Sequence, residues 1–210
     1  MSNKYEEGIA FILEGDTEKE FYLSLLEFLC KKHDGILERQ LDCSNSPDII
    51  YTLKTPSRHL LIKFNTVNTV TQMPHSSRWF ISQCKNKHRD VGSWIVFLCY
   101  DLDNYKNDIT KFYEGDWVNL RTSLKKKAKA VHDIAAAADI EGISRFLGSP
   151  NTMALPTGSK GKAKLKKLFR QANRTYHEGK RARTLIDSLD MQKIMDTSLA
   201  PLTMIESVIF

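Results

Sequence analysis

The sequence predicts an α/β fold with a mainly parallel sheet of about four or five strands flanked by helices. Two apolar runs, residues 9–13 and 94–100, have the length and the β-branched and aromatic content of buried strands. Strand and helix patterns alternate along the chain, and parallel strands need such crossover connections. Both apolar runs end directly in acidic residues, at the strand ends where α/β folds keep their sites.

The first half of the chain divides into alternating elements. After the first strand, Thr17 and Glu20 have the spacing of a capping box and predict a helix over residues 18–33. Residues 36–41 are expected to form a strand. Ser46 and Pro47 predict a short helix through residue 54, because proline suits the first helical position. A further strand is expected over residues 58–64 and a helix over residues 73–87. The inner face of the first helix is predicted to comprise Phe21, Leu25, Phe28 and Leu29.

The second half has a looser pattern. Residues 117–127 are predicted to be helical and residues 130–136 to form the last strand, followed by a short helix over 140–147. Residues 151–161 are rich in Pro, Gly, Ser and Thr, which indicates a loop or linker. A basic helix over 162–172 and a helical segment over 186–210, broken near Pro201, follow. We therefore expect one domain over residues 1–150, with a basic helical extension over 151–210 packed on it.

Composition narrows the class of protein. The chain has 210 residues, of which 41% are hydrophobic, enough for one sizeable core. It has no long uncharged apolar run and no recognisable leader, so we expect a cytoplasmic protein without a membrane partner. Its four cysteines include no C-x-x-C pair, which argues against a disulfide framework and against a cysteine zinc site.

Charge is distributed unevenly along the chain. Residues 121–183 contain 16 Lys or Arg and 4 Asp or Glu, whereas the formal net charge of the whole chain is only +6. Clustered lysine and arginine attract polyanions by displacing counterions, so nucleic acid is the expected partner. The alternative is that these lysines only form solvated helix faces, as most charge runs do.

Three carboxylates follow the two apolar strands. Glu14 ends the first strand, while Asp101 and Asp103 end the other with a spacing that allows both side chains to face one side. Mg²⁺ and Mn²⁺ prefer such oxygen ligands and keep several waters, so a few converging carboxylates suffice. Asp16 and Glu18 could add outer contacts. Asp101 and Asp103 could instead be capping residues in a solvated turn, but the coincidence of two acidic strand ends favours a metal site.

The two corners resemble a known family. Residues 14–19 (EGDTEK) after one strand and 100–103 (YDLD) after another are similar to the Toprim domain of topoisomerases, DnaG-type primases and OLD-family nucleases. The E-G-x-T-E form most resembles OLD-type and RloB-like proteins, small bacterial Toprim nucleases associated with phage defence. The resemblance covers about residues 8–150, and residues 175–183 (TYHEGKRAR) also resemble these proteins. It implies a Toprim-like, Rossmann-like fold and a catalytic role for the domain over 1–150.

The resemblance also implies roles for individual residues. Glu14 corresponds to the glutamate near the phosphate, and Asp101 and Asp103 to magnesium ligands. A further acidic residue opens the helix after the last strand in such proteins. Glu141 is the first choice for it and Asp139 the second, although an ordinary acidic helix N-terminus explains them equally well. The predicted metal ligands are therefore Glu14, Asp101, Asp103 and Glu141.

OLD-type nucleases also use a lysine near the metals. Lys160 and Lys162, in the loop over residues 158–162, are the candidates for it, and Lys180 is a less favoured one. The same loop has a superficial likeness to a Walker A motif, but Pro156 stands at the first glycine position and Ala163 at the final Ser/Thr position. We therefore do not expect this chain to bind ATP.

Two classes of function follow from the resemblance. The first is a Mg²⁺- or Mn²⁺-dependent nuclease that hydrolyses phosphodiester bonds in DNA or in RNA such as tRNA, as the effector of an anti-phage system. The second is a non-catalytic Toprim-like module that docks on an ATPase partner or a polyanion. A separate ABC- or AAA-type ATPase is an expected partner in either case, and a homodimer is left open.

Overall fold

The computed structural model of the protein describes residues 4–41, 49–68, 70–101, 114–136, 170, 175, 177–196 and 201–210. Within these residues the sheet has six strands in the order β2-β3-β4-β1-β5-β6. Strands β4, β1, β5 and β6 run parallel, while β2 and β3 are added antiparallel at one edge. The strands are β1 (Tyr5–Leu13), β2 (Ile36–Leu41), β3 (Ile49–Lys54), β4 (His59–Thr66), β5 (Val91–Asp101) and β6 (Ala130–Ala136).

Helices cover both faces of the sheet. No helix in the described ranges is long and apolar enough to span a membrane. The α-helices are α1 (Asp16–Lys32), α2 (Ser76–Trp79), α3 (Glu114–Lys125), α4 (Arg183–Ile186), α5 (Met191–Met195) and α6 (Thr203–Ile209). Two 3-10 helices (Val70–His75 and Gly179–Ala182) and a π-helix (Phe80–Asn86) complete the helical segments.

Strand β1 has a buried layer on each side because alternate side chains point to opposite faces. Ile9, Phe11 and Leu13 belong to one core, which α1 covers. Ala10 and Ile12 belong to a second core, which the π-helix and α3 cover. Burial on both faces explains why β1 reads as a continuous apolar run rather than an alternating one.

The C-terminal residues complete the first core. Ala182, Ile186, Ile194, Ile205 and Ile209 are buried in the same cluster as β1 and α1. The residues over 177–196 and 201–210 therefore pack on the sheet as part of its hydrophobic core, through several short helices.

Glu7, on β1, binds residues at the amino ends of three other strands, β4, β5 and β6. Its carboxylate accepts hydrogen bonds from Arg58, from Lys129 (Nζ to Oε1, 2.5 Å) and from Ser93 (Oγ to Oε1, 3.1 Å). Arg58 also donates to the backbone carbonyls of Val208 (2.7 Å) and Ile209 (2.8 Å), so this network fastens the last helix to the sheet. Burial by itself raises the pKa of Glu7, but its bonds to Lys129 and Ser93 and the nearby charges outweigh burial and lower the pKa below the ordinary 4.5.

The α/β prediction is confirmed at the level of a mixed sheet, mainly parallel at its centre and flanked by helices. The predicted bounds of β2 and β6 agree with the structure, and β1 and β5 extend beyond their predicted bounds, while β4 begins one residue later and ends two residues later than predicted. The sheet contains one strand more than expected because residues 49–54, predicted to be helical, form β3. This strand pairs with β2 and β4, and Ile50, Tyr51 and Leu53 are buried there. The predicted helix relied on Ser46 and Pro47, whereas the β-branched and aromatic residues of this segment favour a strand.

The predicted helix over residues 73–87 is helical but not a single α-helix. A 3-10 helix containing Pro74 leads into α2, and a π-helix follows it. Proline has no N–H to donate, which disfavours a continuous α-helix through this position. The buried Lys63 side chain on β4 donates to the carbonyl of Gln83 in the π-helix (3.0 Å). The predicted helix over 140–147, the loop over 151–161 and nearly all of the basic helix over 162–172 lie outside the described residues.

Candidate functional site

The two acidic strand ends lie side by side at the carboxyl edge of the sheet. In the pairing of β1 with β5, Leu13 stands opposite Cys99, so Glu14 follows at the point where β5 continues to Asp101. Asp101 is the last residue of β5 and pairs with Ala136 of β6. The topology therefore brings Glu14 and the backbone of Asp101 to neighbouring strand ends, as the sequence predicted.

A short turn connects Glu14 to α1. Gly15 is extended (φ −152°, ψ 176°), and α1 begins at Asp16. The buried Glu18 carboxylate reaches back to accept a hydrogen bond from the backbone N–H of Gly15. The prediction that Thr17 and Glu20 form the capping box is therefore wrong: the helix begins two residues earlier, and Glu18 makes the return bond. Glu18 thus holds the turn that follows Glu14.

Thr17 has a different role, which the sequence did not indicate. Its Oγ1 accepts a hydrogen bond from the backbone N–H of Gly179 (2.8 Å), so a distant segment lies against the first turn of α1. Gly179 has a positive φ of 62°, a conformation that favours glycine. We call residues 177–187 the C-terminal strap. The strap contains Lys180, the less favoured lysine candidate, which is exposed beside this turn.

Arg183 fastens the strap along α1. Its guanidinium contacts Glu27, lies 3.6 Å from Glu20 and donates to Asp187 Oδ1 (2.7 Å). The same Asp187 oxygen accepts a hydrogen bond from Ser24 of α1 (3.0 Å). Burial by itself lowers the pKa of Arg183, but these acidic neighbours outweigh it and raise the pKa. Residues 179–183, which belong to the segment that resembles small Toprim proteins, therefore pack against α1, with Gly179 beside the first turn that follows Glu14.

A polar cluster lies on the other face of the sheet near the end of β5. Arg121 of α3 donates from Nε to Asp133 Oδ2 of β6 (2.8 Å), and its Nη2 lies 3.4 Å from the Tyr100 hydroxyl. The guanidinium also stands over the ring of Trp117, 5.2 Å from its centre. Burial raises the pKa of Tyr100. The other oxygen of Asp133, Oδ1, is buried and has no hydrogen-bond partner in the described structure. Sequence reasoning missed this cluster because Arg121 and Asp133 share no motif.

The predicted metal ligands are only partly within the described residues. Glu14 is partly buried. Asp101 is the last described residue before the range that begins again at residue 114. No group of three or more His, Cys, Asp or Glu that could hold a metal ion occurs within the described ranges. Two carboxylate residues at neighbouring strand ends suit the oxygen chemistry of Mg²⁺ but are fewer than the predicted set. Asp103, Asp139, Glu141, Lys160 and Lys162 lie outside the described residues.

Comparison with known proteins adds no assignment. No protein-family model matches the chain, and no curated protein matches it significantly.

Proposed function

We propose that this protein is a Mg²⁺-dependent nuclease of the Toprim type that hydrolyses phosphodiester bonds in nucleic acid. The observation that carries the proposal is the position of Glu14 and Asp101 at the carboxyl ends of two neighbouring parallel strands. Ligand sites of open α/β sheets lie at this edge. The resemblance of residues 14–19 and 100–103 to the Toprim motifs supplies the class of reaction, and its association with phage defence extends to this chain as part of the proposal.

The chain's own residues would supply the ligands and the frame. Asp101 and Asp103, with Glu14 or Glu141, would hold the metal. A bound Mg²⁺ in such a site orients and activates water and neutralises charge on the scissile phosphate. Glu18 holds the Gly15 turn by its return bond, and the Thr17 bond to Gly179 keeps the strap against α1. Lys160 or Lys162 would offset the negative charge that develops on the phosphate.

Cleavage assays with matched variants test the proposal. Purified protein is incubated with separate pools of duplex DNA, single-stranded DNA, total RNA and tRNA, in Mg²⁺, in Mn²⁺ and in EDTA. We expect metal-dependent cleavage of at least one pool, and a loss of at least about 100-fold in the Asp101→Asn/Asp103→Asn variant. The matched control is Asp34→Asn/Asp196→Asn, which removes the same charge from two exposed residues outside the proposed site. Equal cleavage by the two double variants would refute the site.

The alternative function is a non-catalytic module that docks on an ATPase partner or a polyanion. It differs from the nuclease in a simple measurement, the melting temperature of the protein as Mg²⁺ or Mn²⁺ is titrated to millimolar concentration. A metal-dependent increase that Glu14→Gln abolishes supports a metal site at the corner. Without such an increase, and without cleavage in any pool, the docking module becomes the better interpretation.

A further inference from the structure

We propose that the amino edge of the sheet, on the face covered by α3 and the π-helix, is a second contact surface for nucleic acid, which binds the phosphate backbone at a distance from the Glu14 corner. The inference deepens the proposed function, since it concerns how the same substrate is held. We call this region the amino-edge surface. It comprises the basic residues Lys4, Lys85, Lys87, Arg89, Lys125, Lys126, Lys127 and Lys129.

The fold brings together three basic segments that are far apart in the sequence. Residues 85–89 lie where the π-helix ends and precede β5, and residues 125–129 lie where α3 ends and precede β6. Strands β5 and β6 are parallel neighbours, so both segments reach the same edge. The backbone N–H of Lys129 donates to the carbonyl of Trp94 (2.7 Å) on β5. Tyr5, next to Lys4, donates in the same way to Asp90 (3.2 Å).

Positive charge dominates this surface. Lys4, Arg89 and Lys125–Lys127 are exposed, as is Lys129, whose amino group also neutralises Glu7. The acidic residues that the structure describes beside the three basic segments are Glu6, Glu7 and Asp90. Glu7 is buried and already paired with Arg58 and Lys129. The excess of cations is therefore presented to solvent, where it attracts a polyanion.

The composition of the surface favours nucleic acid over a protein partner. Protein interfaces are enriched in aromatic residues, Met and Arg and depleted in Lys. The exposed large hydrophobic residues of the described chain are Ile36, Leu41, Val118 and Met204, and none of them belongs to the three basic segments. A phosphate backbone needs charge and no apolar anchor. Exposed lysines satisfy that requirement without reading sequence.

The length of β5 determines what size of nucleic acid can use both surfaces. The strand has 11 residues from Val91 to Asp101. At about 3.3 Å per residue the start of β5 lies about 30 Å from the level of the Glu14 corner, and Lys129, which precedes the seven residues of β6, lies about 20 Å from it. The longer of these distances is close to one turn of a duplex, which is about 34 Å. A duplex or structured RNA of about ten base pairs can therefore touch the whole amino-edge surface and the corner, whereas a tetranucleotide covers only part of them.

Binding in EDTA tests the proposal separately from catalysis. We would measure fluorescence anisotropy of a labelled 20-base-pair duplex, as RNA and as DNA, and of a labelled tetranucleotide, from 50 to 300 mM salt. The test variant is Lys125→Gln/Lys126→Gln/Lys127→Gln, which spares Lys129 and its bond to Glu7. The matched control is Lys31→Gln/Lys54→Gln/Lys193→Gln, three exposed lysines on α1, β3 and α5, elements that contribute no residue to the amino-edge surface. Equal melting temperatures establish that both variants are folded.

The expected result is specific to the surface. The test variant should bind the duplex about tenfold more weakly than wild type near 100 mM salt, with a log–log salt slope shallower by about 2 to 3. The control should change affinity less than threefold, and the tetranucleotide, which makes fewer phosphate contacts, should bind every variant more weakly than the duplex does. Lys4→Gln/Arg89→Gln should independently reproduce a weaker form of the defect.

Three outcomes would overturn the inference. The first is an equal loss of duplex affinity in the test and control variants, and the second is no duplex binding by the wild-type protein. The third is a test variant that binds the duplex as tightly as wild type but binds an acidic peptide or anionic vesicles more weakly. Absence of metal-dependent cleavage with the expected binding pattern would refute the nuclease and leave the amino-edge surface standing. The failure of one proposal is thereby distinguishable from the failure of the other.

Discussion

Gly15 stands between the proposed ligand Glu14 and the first turn of α1, and its conformation does not require glycine. Its backbone is extended. Apart from its chain neighbours, an added Cβ would meet Glu18 Oε2 at 3.7 Å, which is an ordinary van der Waals contact. Because the backbone conformation at Gly15 does not require glycine, we attribute the missing side chain to close approach of a ligand to the main chain.

We predict that Gly15→Ala lowers the free energy of unfolding by no more than about 1 kcal/mol, because alanine is a poorer N-cap than glycine, but lowers cleavage at least about tenfold. Urea unfolding and initial cleavage rates measure the two effects. The contrasting variant is Gly8→Ala, whose Cβ would lie 2.6 Å from the Trp94 ring and should cost about 1 to 3 kcal/mol. Full activity in Gly15→Ala would show that no ligand approaches the main chain there.

Glu7 predicts a pH dependence of stability at the other end of β1. Its folded pKa lies below the ordinary 4.5 that we take for the unfolded chain. Its contribution is therefore present above pH 4.5 and is lost as the pH falls through the folded pKa. We expect the difference in unfolding free energy between wild type and Glu7→Gln to be largest near neutral pH and to shrink below pH 4.5. Urea unfolding from pH 7 to pH 3 measures it, and a difference independent of pH would contradict the assignment.

At the scale of elements, the strap couples the C-terminal residues to α1. Arg183 contacts carboxylates from both elements, while Arg181, two positions away, is exposed. We predict that Arg183→Ala lowers the free energy of unfolding by about 1 kcal/mol, a modest value because Arg183 and two of its partners are partly in solvent. Arg181→Ala is the matched control and should change stability by less than about 0.5 kcal/mol. Thermal unfolding of the two variants at low and high salt measures the difference. Equal losses of stability would argue against a stabilising role of Arg183 between the strap and α1.

Some helices and strands can be predicted from the sequence pattern, and others cannot. The run over residues 9–13 is apolar on both faces, which predicts a strand buried between two layers, and β1 is such a strand. Residues 49–54 (IIYTLK) are rich in β-branched and aromatic residues, which favours a strand. Their pairing with β2 and β4 agrees with that preference rather than with the helix predicted from Ser46 and Pro47. The predicted start of α1 is wrong because threonine is a residue type that suits an N-cap. In the structure the Thr17 hydroxyl instead accepts a hydrogen bond from the backbone N–H of Gly179 in the strap.

At the scale of the whole molecule, the last helix belongs to the core. Leu202, Ile205 and Ile209 are buried beside β1 and α1, and Arg58 binds the carbonyls at the end of the helix. We predict that Ile205→Ala costs about 2 to 5 kcal/mol, and that deletion of residues 201–210 leaves the chain largely unfolded. Ser207→Ala, an exposed change on the same helix, should be nearly neutral. Circular dichroism with urea unfolding tests these expectations, and a truncated chain that unfolds cooperatively near wild-type stability would contradict them.

The whole molecule also separates two kinds of charge. The acidic strand ends lie at the carboxyl edge of the sheet, and Lys125–Lys129 lie at the amino edge, about 20 Å away along the seven residues of β6. The sequence suggested one basic region beside the metal site. The structure instead divides the described part of that region between the two edges, with Lys180 near the corner and Lys125–Lys129 away from it.

The sequence by itself determined the α/β class, the position of β1 and β5 and the acidic residues that end them. These features depend on local periodicity and on adjacency along the chain, which a single sequence records. The tertiary structure alone decided that β3 pairs antiparallel with β2 and β4, that Thr17 holds the strap and that three basic segments share the amino edge. Each of these depends on which strands pair and in which direction, and pairing is a contact between residues tens of positions apart. Residue spacing carries no record of such contacts.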